Sequence, residues 1–362
     1  MKSWEKHVKL FIPGPVEVYP DVLKEIARPM IGHREEAFHE LFADTITKLK
    51  KVLYTNNDIF LSTSSATGVW EACVRNCIDK KALIFVNGAF SDHWHKVAIA
   101  NEKKIDRFDI DWGKAVKPEM IDEKLSTGEY DSFLFVHNET STGVANPLYE
   151  IAEVVKKYPD VVFMVDAVSS MTGMKIEVDK LGIDVCLASV QKAFALPPGL
   201  AVFTVSEKAY KRAEKTKNRG YYFDFFVFKK SAEKNETPST PAIPQIFGLN
   251  KQLDKMLAEG MENRFERHKK MAEYTRKWAI NKGFELFPEK GYESNTLTTV
   301  KNTLGINISE LNKKLIERGY MISNGYGQLK EKTFRIAHMG DVKLEEIKEL
   351  LDIIDEIMED MK

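Results

Sequence analysis

Residues 188–199, ASVQKAFALPPG, end an apolar run and place Lys192 directly before further apolar residues. The run itself, DVCLASV (184–190), is typical of a strand that is buried on both faces. Lysine is almost never fully buried unless its charge is compensated. Lys192 therefore has two interpretations. It is either a strand-end side chain that reaches water along its alkyl stem, or a reactive amine that is kept neutral by burial or held in a Schiff base.

Short apolar runs alternate with amphipathic segments on both sides of this stretch, across residues 58–205. The other runs are DIFLS (58–62), ALIFVN (82–87), DSFLFVH (131–137), VVFMVDA (161–167) and LAVFTV (200–205). Helical patterns such as VWEACVRNCI (69–78) and LYEIAEVVKKY (148–158) lie between the earlier runs. Strands joined by helices predict an α/β domain with a mostly parallel central sheet, whose ligands bind at the carboxyl ends of the strands.

The second half of the chain has a different organisation. The polar, proline-containing stretch KKSAEKNETPSTP (229–241) predicts a surface loop, and a long helical pattern follows it over residues 241–282. The remaining segments are TLTTVKN (296–302), SELNKKLIERG (309–319), TFRIAH (333–338) and a final helix from 343. They predict a smaller α+β unit after the long helix.

Composition excludes some classes of partner. The 53 Lys and Arg residues nearly cancel the 54 Asp and Glu residues, so no overall field favours nucleic acid or an anionic membrane. The start, MKSWEKHVKL, has no apolar signal-peptide core, and no apolar stretch is long enough to span a membrane. With three cysteines in apolar surroundings, these features predict a cytoplasmic protein. No metal site is expected, because His93 and His95 are two residues apart on a helix and do not face each other.

Polar residues follow several of the predicted strands. TSSATG (63–68) opens onto a helix, and NETSTG (138–143) is a second hydroxyl-rich turn. Asp166 ends another run, and Gln191 and Lys192 follow the run considered first. Taken alone, each feature fits an ordinary helix cap or strand end. Because the carboxyl ends of parallel strands meet at one edge of the sheet, we expect these residues to converge there.

Pyridoxal phosphate needs this combination of groups. Its aldehyde reacts with a lysine, its phosphate takes N–H and hydroxyl donors at a helix N-terminus, and its ring nitrogen needs an acid that keeps it protonated. A lysine that is released by an incoming amine can then move the α-proton as general base and acid. Such a role would also explain why Lys192 stands among apolar residues.

The chain resembles the class V, or subgroup IV, aminotransferases of fold type I over almost its whole length. The motifs that carry the resemblance are FIPGPVEVYPDVLKEIARPMIGHR (11–34), HNETSTGV (137–144), VDAVSS (165–170), SVQKAFALPPGLAV (189–202), TPSTPAI (237–243) and FRIAHMGD (334–341). The resemblance implies a large domain with a mostly parallel seven-stranded sheet and a smaller C-terminal α+β domain. The implied regions are an N-terminal arm at the active site and dimer interface (1–20), a large cofactor-binding domain (21–245), a connecting helix (246–282) and a small domain (283–362).

The resemblance also assigns roles to individual residues. Lys192 forms the Schiff base with pyridoxal 5′-phosphate and Asp166 pairs with the ring nitrogen, so these two are the expected catalytic residues. Arg335 binds the substrate α-carboxylate, for which its planar bidentate guanidinium is suited. The other residues implied to contact cofactor or substrate are Ser65, Ala66, Thr67, Phe90, Thr140, Ser141, Val168, Gln191, Ser239, Thr240, His33, Arg34 and Gly14.

Several of these residues are expected to surround the phosphate and the ring. Residues 65–67 and Gln191 hold the phosphate, and Thr140 or the neighbouring Ser141 bonds the ring hydroxyl. Val168 packs on one ring face. Phe90 stands where many relatives stack a tryptophan, and a phenyl ring can take the same role.

The stretch TPSTP (237–241) implies a homodimer. The family pattern places Ser239 and Thr240 at the phosphate of the neighbouring subunit's cofactor, so that the active sites are shared. The expected partners are therefore a second copy of the chain and small amino-acid and 2-oxo-acid substrates.

The motifs leave the amino donor open. ETSTG, SVQK and PPGLA are most similar to the alanine–glyoxylate, serine–pyruvate and aspartate branch, whereas His33 and Arg34 match a phosphate-binding pair of phosphoserine aminotransferases. An added cation favours an acidic donor; alternatively, Arg34 starts a helix over 34–53 and pairs with its surface glutamates. The expected reaction moves an amino group from serine, alanine, aspartate or phosphoserine to glyoxylate, pyruvate or 2-oxoglutarate by a ping-pong mechanism.

Three alternatives belong to the same fold. The first is a dedicated phosphoserine aminotransferase of serine biosynthesis. The second is a cysteine desulfurase. That interpretation is set aside, because these enzymes need an additional nucleophilic cysteine late in the chain and no cysteine follows Cys186. The third is a non-catalytic accessory subunit, against which the presence of Lys192, Asp166 and Arg335 argues.

Overall fold

The computed structural model describes residues 5–361, so residues 1–4 of the predicted N-terminal arm and residue 362 lie outside the described residues. The strands are β1 (Lys9–Leu10), β2 (Asp58–Ser62), β3 (Ala82–Val86), β4 (Ile105–Asp109), β5 (Ser132–Val136), β6 (Asn138–Glu139), β7 (Val144–Ala145), β8 (Val162–Asp166), β9 (Val185–Ser189), β10 (Ala201–Val205), β11 (Glu285–Leu286), β12 (Leu297–Lys301), β13 (Tyr320–Met321), β14 (Ser323–Asn324) and β15 (Thr333–Ala337). The helices are α1 (Pro20–Ile26), α2 (Glu36–Val52), α3 (Ala66–Cys77), α4 (Ala89–Ala100), α5 (Pro118–Leu125), α6 (Leu148–Val155), α7 (Val178–Leu181), α8 (Glu207–Lys215), α9 (Phe225–Ala232), α10 (Ile243–Glu259), α11 (Met261–Asn281), α12 (Ile308–Glu317) and α13 (Leu344–Asp360). A short 3₁₀ helix covers Gly327–Leu329. Within residues 5–361, no helix combines the length and the apolar composition needed to cross a bilayer.

Seven strands form the central sheet, in the order β2-β10-β9-β8-β5-β3-β4. The pairs from β9 across to β4 are parallel, and β10 runs antiparallel to both β2 and β9. The predicted α/β fold with a mostly parallel seven-stranded sheet is therefore confirmed. Since β2 and β9 point the same way, the carboxyl ends of β2, β3, β5, β8 and β9 share one edge.

The central strands are buried on both faces, which explains why they read as continuous apolar runs. In β5, Phe133 and Phe135 pack into one hydrophobic core, and Leu134 and Val136 pack into the other. Helices α2, α6 and α10 cover the first face, and α3, α4 and α8 cover the second. The sheet is thereby held rigid between two layers, and its polar strand ends are left at the rim.

A second sheet forms the small domain, with four antiparallel strands in the order β11-β12-β15-β14. Helices α11, α12 and α13 pack around a separate core that includes Phe334 and Ile336 of β15. Side chains alternate along a strand, so Arg335 points away from this core. Its side chain is directed at the large domain, where it meets the backbone of Thr140.

The connection between the domains differs from the single helix expected over 246–282. Helix α10 ends at Glu259 and α11 begins at Met261, with Gly260 between them at φ +81° and ψ 130°. This backbone conformation is strained for any residue with a side chain, and it interrupts the helix. Helix α10 packs on α1 and α2 of the large domain, whereas α11 packs on β12 and α13 of the small domain. The expectation of one continuous helix is corrected accordingly.

Candidate active site

Lys192 lies three residues beyond β9, at the carboxyl edge of the central sheet. Its side chain is buried, and Nζ donates a hydrogen bond to the carbonyl oxygen of Pro13. Gly14 has φ +132°, and a Cβ at this position would lie 2.7 Å from Cδ of Lys192. The N-terminal segment thus closes over the lysine, and only glycine at position 14 leaves room for the lysine side chain.

Burial also changes the chemistry of this lysine. It lowers the pKa of Lys192 to about 8, and the positive charge of Arg335 acts in the same direction. A large fraction of the amine is therefore neutral near pH 8, and the neutral amine is the form that attacks an aldehyde. Of the two interpretations available from the sequence, this environment favours the reactive amine.

Asp166 is the last residue of β8 and is almost completely buried. Its Oδ1 accepts a hydrogen bond of 2.7 Å from the backbone N–H of Val168, and its Oδ2 accepts one of 2.9 Å from Nε1 of Trp70. The pKa of Asp166 is raised to about 7, chiefly by burial, and the negative charge of Glu139 acts in the same direction. Within residues 5–361, Asp166 forms no ion pair. A cationic N–H group in this position would therefore meet an unpaired buried carboxyl.

The sequence offered no signal for Trp70, which lies on α3 and packs against Trp94 of α4 at 5.9 Å between ring centroids. Its indole is positioned by the core of the large domain, so the hydrogen bond to Asp166 depends on helix packing. Trp70 therefore orients the carboxyl from outside the stretch that contains Asp166.

The start of helix α3 lies at the same edge of the sheet. Ser65 occupies the N-cap position in extended conformation, but its hydroxyl makes no capping hydrogen bond. The backbone N–H of Ala66 donates to Oγ of Ser189 at 3.0 Å, which fixes the first turn next to β9. Ala66 is buried, whereas Ser65 and Thr67 remain accessible. The uncommitted hydroxyl and the helix N-terminus are suited to an anion such as phosphate.

The hydroxyl-rich turn after β5 is organised by Glu139, which is fully buried. Its carboxylate accepts hydrogen bonds from the backbone N–H groups of Phe90 and Ser91 at the start of α4. It also accepts a hydrogen bond of 2.6 Å from Oγ of Ser141. Ser141 is thereby committed to Glu139, whereas Thr140 pairs with the hydroxyl of Ser169. Of the two hydroxyls considered for the ring contact, that of Thr140 is the one left outside the Glu139 network.

Two aromatic rings from different domains meet next to the lysine. The centroid of the Phe90 ring lies 5.9 Å from Nζ of Lys192. The ring of Tyr326, from the loop between β14 and β15, lies 5.5 Å from the Phe90 ring with an interplanar angle of 42°. Phe90 is therefore placed to stack on a group bound to the lysine, and Tyr326 extends this aromatic surface toward solvent.

Arg335 brings the small domain into the site. Its Nη1 donates to the carbonyl oxygen of Thr140 at 3.1 Å, and its Nη2 donates to that of Asn324 at 3.3 Å. Burial lowers the pKa of Arg335 to about 10, so it stays cationic at physiological pH. Among the ion pairs of the described chain, none involves Arg335. A buried guanidinium held only by carbonyl groups is a receptor for a carboxylate.

Arg34, which follows His33, forms its contacts with the segment at residues 236 and 237. Arg34 is half exposed, and its Nη1 donates to Oε2 of Glu236 at 2.9 Å and to the carbonyl oxygen of Thr237 at 3.0 Å. No hydrogen bond or ion pair of residues 5–361 joins Arg34 to Lys192. Arg34 instead holds the start of the segment that contains Ser239 and Thr240.

Ser239 and Thr240 are exposed, and their segment lies beside the loop that precedes α3. The backbone N–H of Ala242 holds the segment there by donating to Oγ1 of Thr63 at 3.1 Å. Within the segment, Oγ1 of Thr237 donates to the carbonyl oxygen of Ser239 at 2.7 Å. The hydroxyls of Ser239 and Thr240 are consequently presented to the outside of the subunit.

The convergent groups fit pyridoxal phosphate. The structure supplies an amine of lowered pKa, a buried carboxyl without a cation, an uncommitted N-cap hydroxyl and an aromatic ring. The side-chain oxygen of Gln191 is buried without a hydrogen-bond partner, so this amide is available to a ligand. In the part of the chain that the structure describes, no group of three or more His, Cys, Asp or Glu side chains is arranged to hold a metal ion.

Comparison with known proteins gives a consistent family assignment. The family model described as aminotransferase class-V matches residues 16–340. An uncharacterized aminotransferase of Methanocaldococcus jannaschii is 42% identical over 339 residues, which is 91% of this chain and 87% of that protein. The L-aspartate–glyoxylate aminotransferase of Paracoccus denitrificans is 31% identical, with 92% of this chain and 86% of that protein covered.

A third relative and one solved structure complete the comparison. The soluble hydrogenase 42 kDa subunit of Anabaena cylindrica is 32% identical, with 92% of this chain and 88% of that protein covered. The crystal structure of an alanine–glyoxylate aminotransferase from Nostoc sp. superposes with a TM-score of 0.92 at 26% identity and covers 97% of this chain and 95% of that chain.

Proposed function

Because the chain belongs to the class V aminotransferase family and is a pyridoxal-phosphate-dependent transaminase, we propose that its donor is a small L-amino acid: serine, alanine, aspartate or phosphoserine. The acceptor is a 2-oxo acid such as glyoxylate, pyruvate or 2-oxoglutarate, and the two half-reactions follow one another in a ping-pong mechanism. The observation that carries the proposal is the buried, unpaired guanidinium of Arg335 on the same side of the site as the reactive Lys192.

Each residue of the site has one task in this reaction. Bound pyridoxal phosphate supplies an aldehyde that holds the amino nitrogen and a ring that withdraws electrons. Arg335 would bind the α-carboxylate of the donor. The neutral amine of Lys192 would take the proton from the α-carbon and deliver it to the cofactor carbon that holds the amino nitrogen, and the second half-reaction would reverse this transfer. Asp166, held by Trp70, keeps the ring nitrogen protonated. Phe90 covers the ring and excludes water from that face.

We include a homodimer with shared active sites in the proposal. Its support is the outward presentation of Ser239 and Thr240, held in place through Arg34 and Glu236. A cytoplasmic location is also proposed, because Cys73, Cys77 and Cys186 are buried free thiols.

A role as an accessory subunit without catalysis has one supporting observation, the similarity to the hydrogenase 42 kDa subunit. The same chain keeps Lys192, Asp166 and Arg335 in one site, with the pKa of Lys192 lowered by burial. Selection for a purely structural role would not require this arrangement. The catalytic proposal is therefore the one we retain.

The test is a half-reaction with the cofactor-loaded protein. L-alanine, L-serine, L-aspartate and L-phosphoserine are added separately, and loss of the visible absorption band of the bound cofactor is followed. We expect rapid loss with at least one donor. The variant Arg335→Lys keeps the charge but loses the bidentate fork, so the donor KM should rise by about tenfold or more with a smaller change in kcat. A loaded protein whose visible band is unchanged by all four donors would contradict the proposal.

A further inference from the structure

Tyr326 occupies a position in the site that no motif identified. Its ring lies 5.5 Å from the Phe90 ring and 5.5 Å from Cζ of Arg335, so it borders both the aromatic surface and the carboxylate receptor. The residue nevertheless stays 44% exposed. The ring thus borders the site and is partly accessible to solvent, which places it at the entrance.

The loop that carries this ring is firmly held. Oδ1 of Asn324 accepts hydrogen bonds from the backbone N–H groups of Gly325 at 2.7 Å and of Glu331 at 2.8 Å. The carbonyl oxygen of Tyr326 accepts a hydrogen bond of 3.0 Å from the N–H of Leu329. A Cβ at Gly325 would lie only 2.0 Å from the carbonyl oxygen of Leu329, so the turn tolerates no larger residue there. The ring position is therefore set by the loop backbone.

The same loop also positions the carboxylate receptor, because the carbonyl oxygen of Asn324 accepts from Nε and Nη2 of Arg335. A donor whose α-carboxylate is bound by Arg335 carries its side chain on the adjacent carbon. Because the ring of Tyr326 lies over the guanidinium, 5.5 Å from its Cζ, it borders the space next to a carboxylate bound there. The space for the donor side chain is consequently limited on this side by an aromatic face.

The charges around the receptor bear on the same question. Lys192 is the neighbouring cation, since the charge of Arg335 lowers its pKa. The other groups whose charges act on Arg335 are Tyr326 and the buried carboxylate of Glu139. Arg34 is engaged with Glu236 and the backbone of Thr237. A second anionic group on the donor would therefore find no arginine other than Arg335 among these groups.

We infer that Tyr326 is a specificity-determining residue that restricts the donor to L-amino acids with short, uncharged side chains. The inference rests on the proposed function and narrows its donors to alanine and serine. The ring acts by excluding volume, so the phenol hydroxyl is dispensable for it and the ring itself is not.

The experiment compares Tyr326→Ala and Tyr326→Phe with Tyr274→Ala, which removes an exposed tyrosine of α11. Half-reaction kcat/KM is measured for L-alanine, L-leucine and L-aspartate. In the wild type, kcat/KM for alanine should exceed that for leucine and that for aspartate by about tenfold or more. In Tyr326→Ala, the ratio of kcat/KM for alanine to that for leucine should fall by about tenfold. Tyr326→Phe and Tyr274→Ala should keep the wild-type ratios.

A second readout does not depend on turnover. The dissociation constants of propionate and 4-methylpentanoate, which lack the amino group of alanine and leucine, are measured by calorimetry on the loaded protein. The wild type should bind propionate more tightly than 4-methylpentanoate. The ratio of the two dissociation constants should move toward one in Tyr326→Ala. If Tyr326→Ala does not fold, Tyr326→Thr takes its place, since threonine also removes most of the volume of the ring.

The outcomes separate this inference from the proposed function. Unchanged alanine-to-leucine ratios in both readouts, or aspartate turnover equal to that of alanine, would overturn the inference while leaving the transamination intact. If Tyr326→Ala changes the ratio of the carboxylate dissociation constants but no donor removes the visible band of the loaded protein, the role of Tyr326 is supported and the proposed reaction is contradicted.

Discussion

At the scale of single residues, the site depends on a lysine whose surroundings suppress its charge. We expect Lys192→Ala to abolish turnover, because the amine next to the Phe90 ring is lost. Borohydride treatment of the loaded protein, followed by mass spectrometry, should fix cofactor to the wild type and not to the variant. Lys103→Ala is the matched control, since burial also lowers the pKa of Lys103 outside the site. Turnover retained in Lys192→Ala would disprove the assignment.

The lowered pKa of Lys192 has a pH signature. The folded-state pKa of about 8 lies below the ordinary value of 10.5, so the reactive neutral amine gains population as pH rises through 8. The rate at which cofactor-free protein takes up pyridoxal phosphate should therefore increase between pH 7 and pH 9 and level off above. Stopped-flow absorbance measures this rate. A rate that is constant over this range would show that the amine is not the titrating group.

Glu139 is the second residue whose burial has a measurable consequence. Alanine at this position leaves the backbone N–H groups of Phe90 and Ser91 without a partner, each at a cost of about 1–3 kcal/mol. We expect Glu139→Ala to lose about 2–4 kcal/mol of unfolding free energy in urea. Glu139→Gln keeps one acceptor oxygen and should lose less than the alanine variant. Equal losses in the two variants would show that the hydrogen bonds to α4 are not what the carboxylate contributes.

At the scale of elements, the apolar runs located six strands of the central sheet to within one or two residues. Strand β4 contains no apolar run that would predict it, because three of the five residues in its sequence, IDRFD, are charged. It lies at the edge of the sheet, where only one neighbour covers it and its residues stay partly exposed. The connecting helix is predicted as continuous over 246–282 because helical periodicity continues through Gly260, and only the backbone dihedral angles show the interruption there.

The interruption at Gly260 can be tested directly. The backbone there has φ +81° and ψ 130°, and a Cβ would lie 3.3 Å from Nδ2 of Asn263. We expect Gly260→Ala to lower the unfolding free energy by about 1–3 kcal/mol, because no L-residue adopts this conformation without strain. Thermal unfolding of the cofactor-free protein measures the loss. An alanine variant as stable as the wild type would mean that the two helices join without this backbone geometry.

The N-terminal end of α2 supports a different prediction. Arg34 binds Glu236 and the carbonyl oxygen of Thr237, so its loss should loosen the segment that contains Ser239 and Thr240. We expect Arg34→Ala to weaken cofactor retention by about tenfold and to slow all donors alike. Arg28→Ala, which removes another exposed arginine paired with a glutamate, is the control. A variant whose half-reactions are slower only with aspartate and phosphoserine would instead support Arg34 as a receptor for acidic donors.

At the scale of the whole molecule, the predictable part of the site was the part that stands in contiguous motifs. The positions of Lys192, Asp166 and the start of α3 follow from strand ends that share one edge of the sheet. Trp70, Glu139 and Tyr326 were not identified, because they act through packing between α3, α4 and the small domain. Contacts between residues distant in sequence leave no local pattern, so the structure was needed to find them.

The two domains are also joined beneath the site by a buried arginine. Arg264 of α11 is almost completely inaccessible, and its guanidinium donates to the carbonyl oxygens of Thr172 and Ala193. It also forms ion pairs of 3.2 Å with Glu259 and Asp341. Ala193 follows Lys192 directly, so the backbone at the lysine is bound to the helix that leads into the small domain.

The groups that bind the cofactor and those that contact the amino donor lie on different sheets, and this separation affects how substrate specificity can evolve. Every group expected to hold the cofactor lies on the large domain, whereas Arg335 and Tyr326 belong to the small one. Mutation of the loop between β14 and β15 can alter the choice of amino acid without disturbing the reactive lysine or the acid beside the ring. A few substitutions in this loop could therefore change the amino donor during evolution without loss of transamination. The relatives are named for different donors: aspartate, serine and alanine.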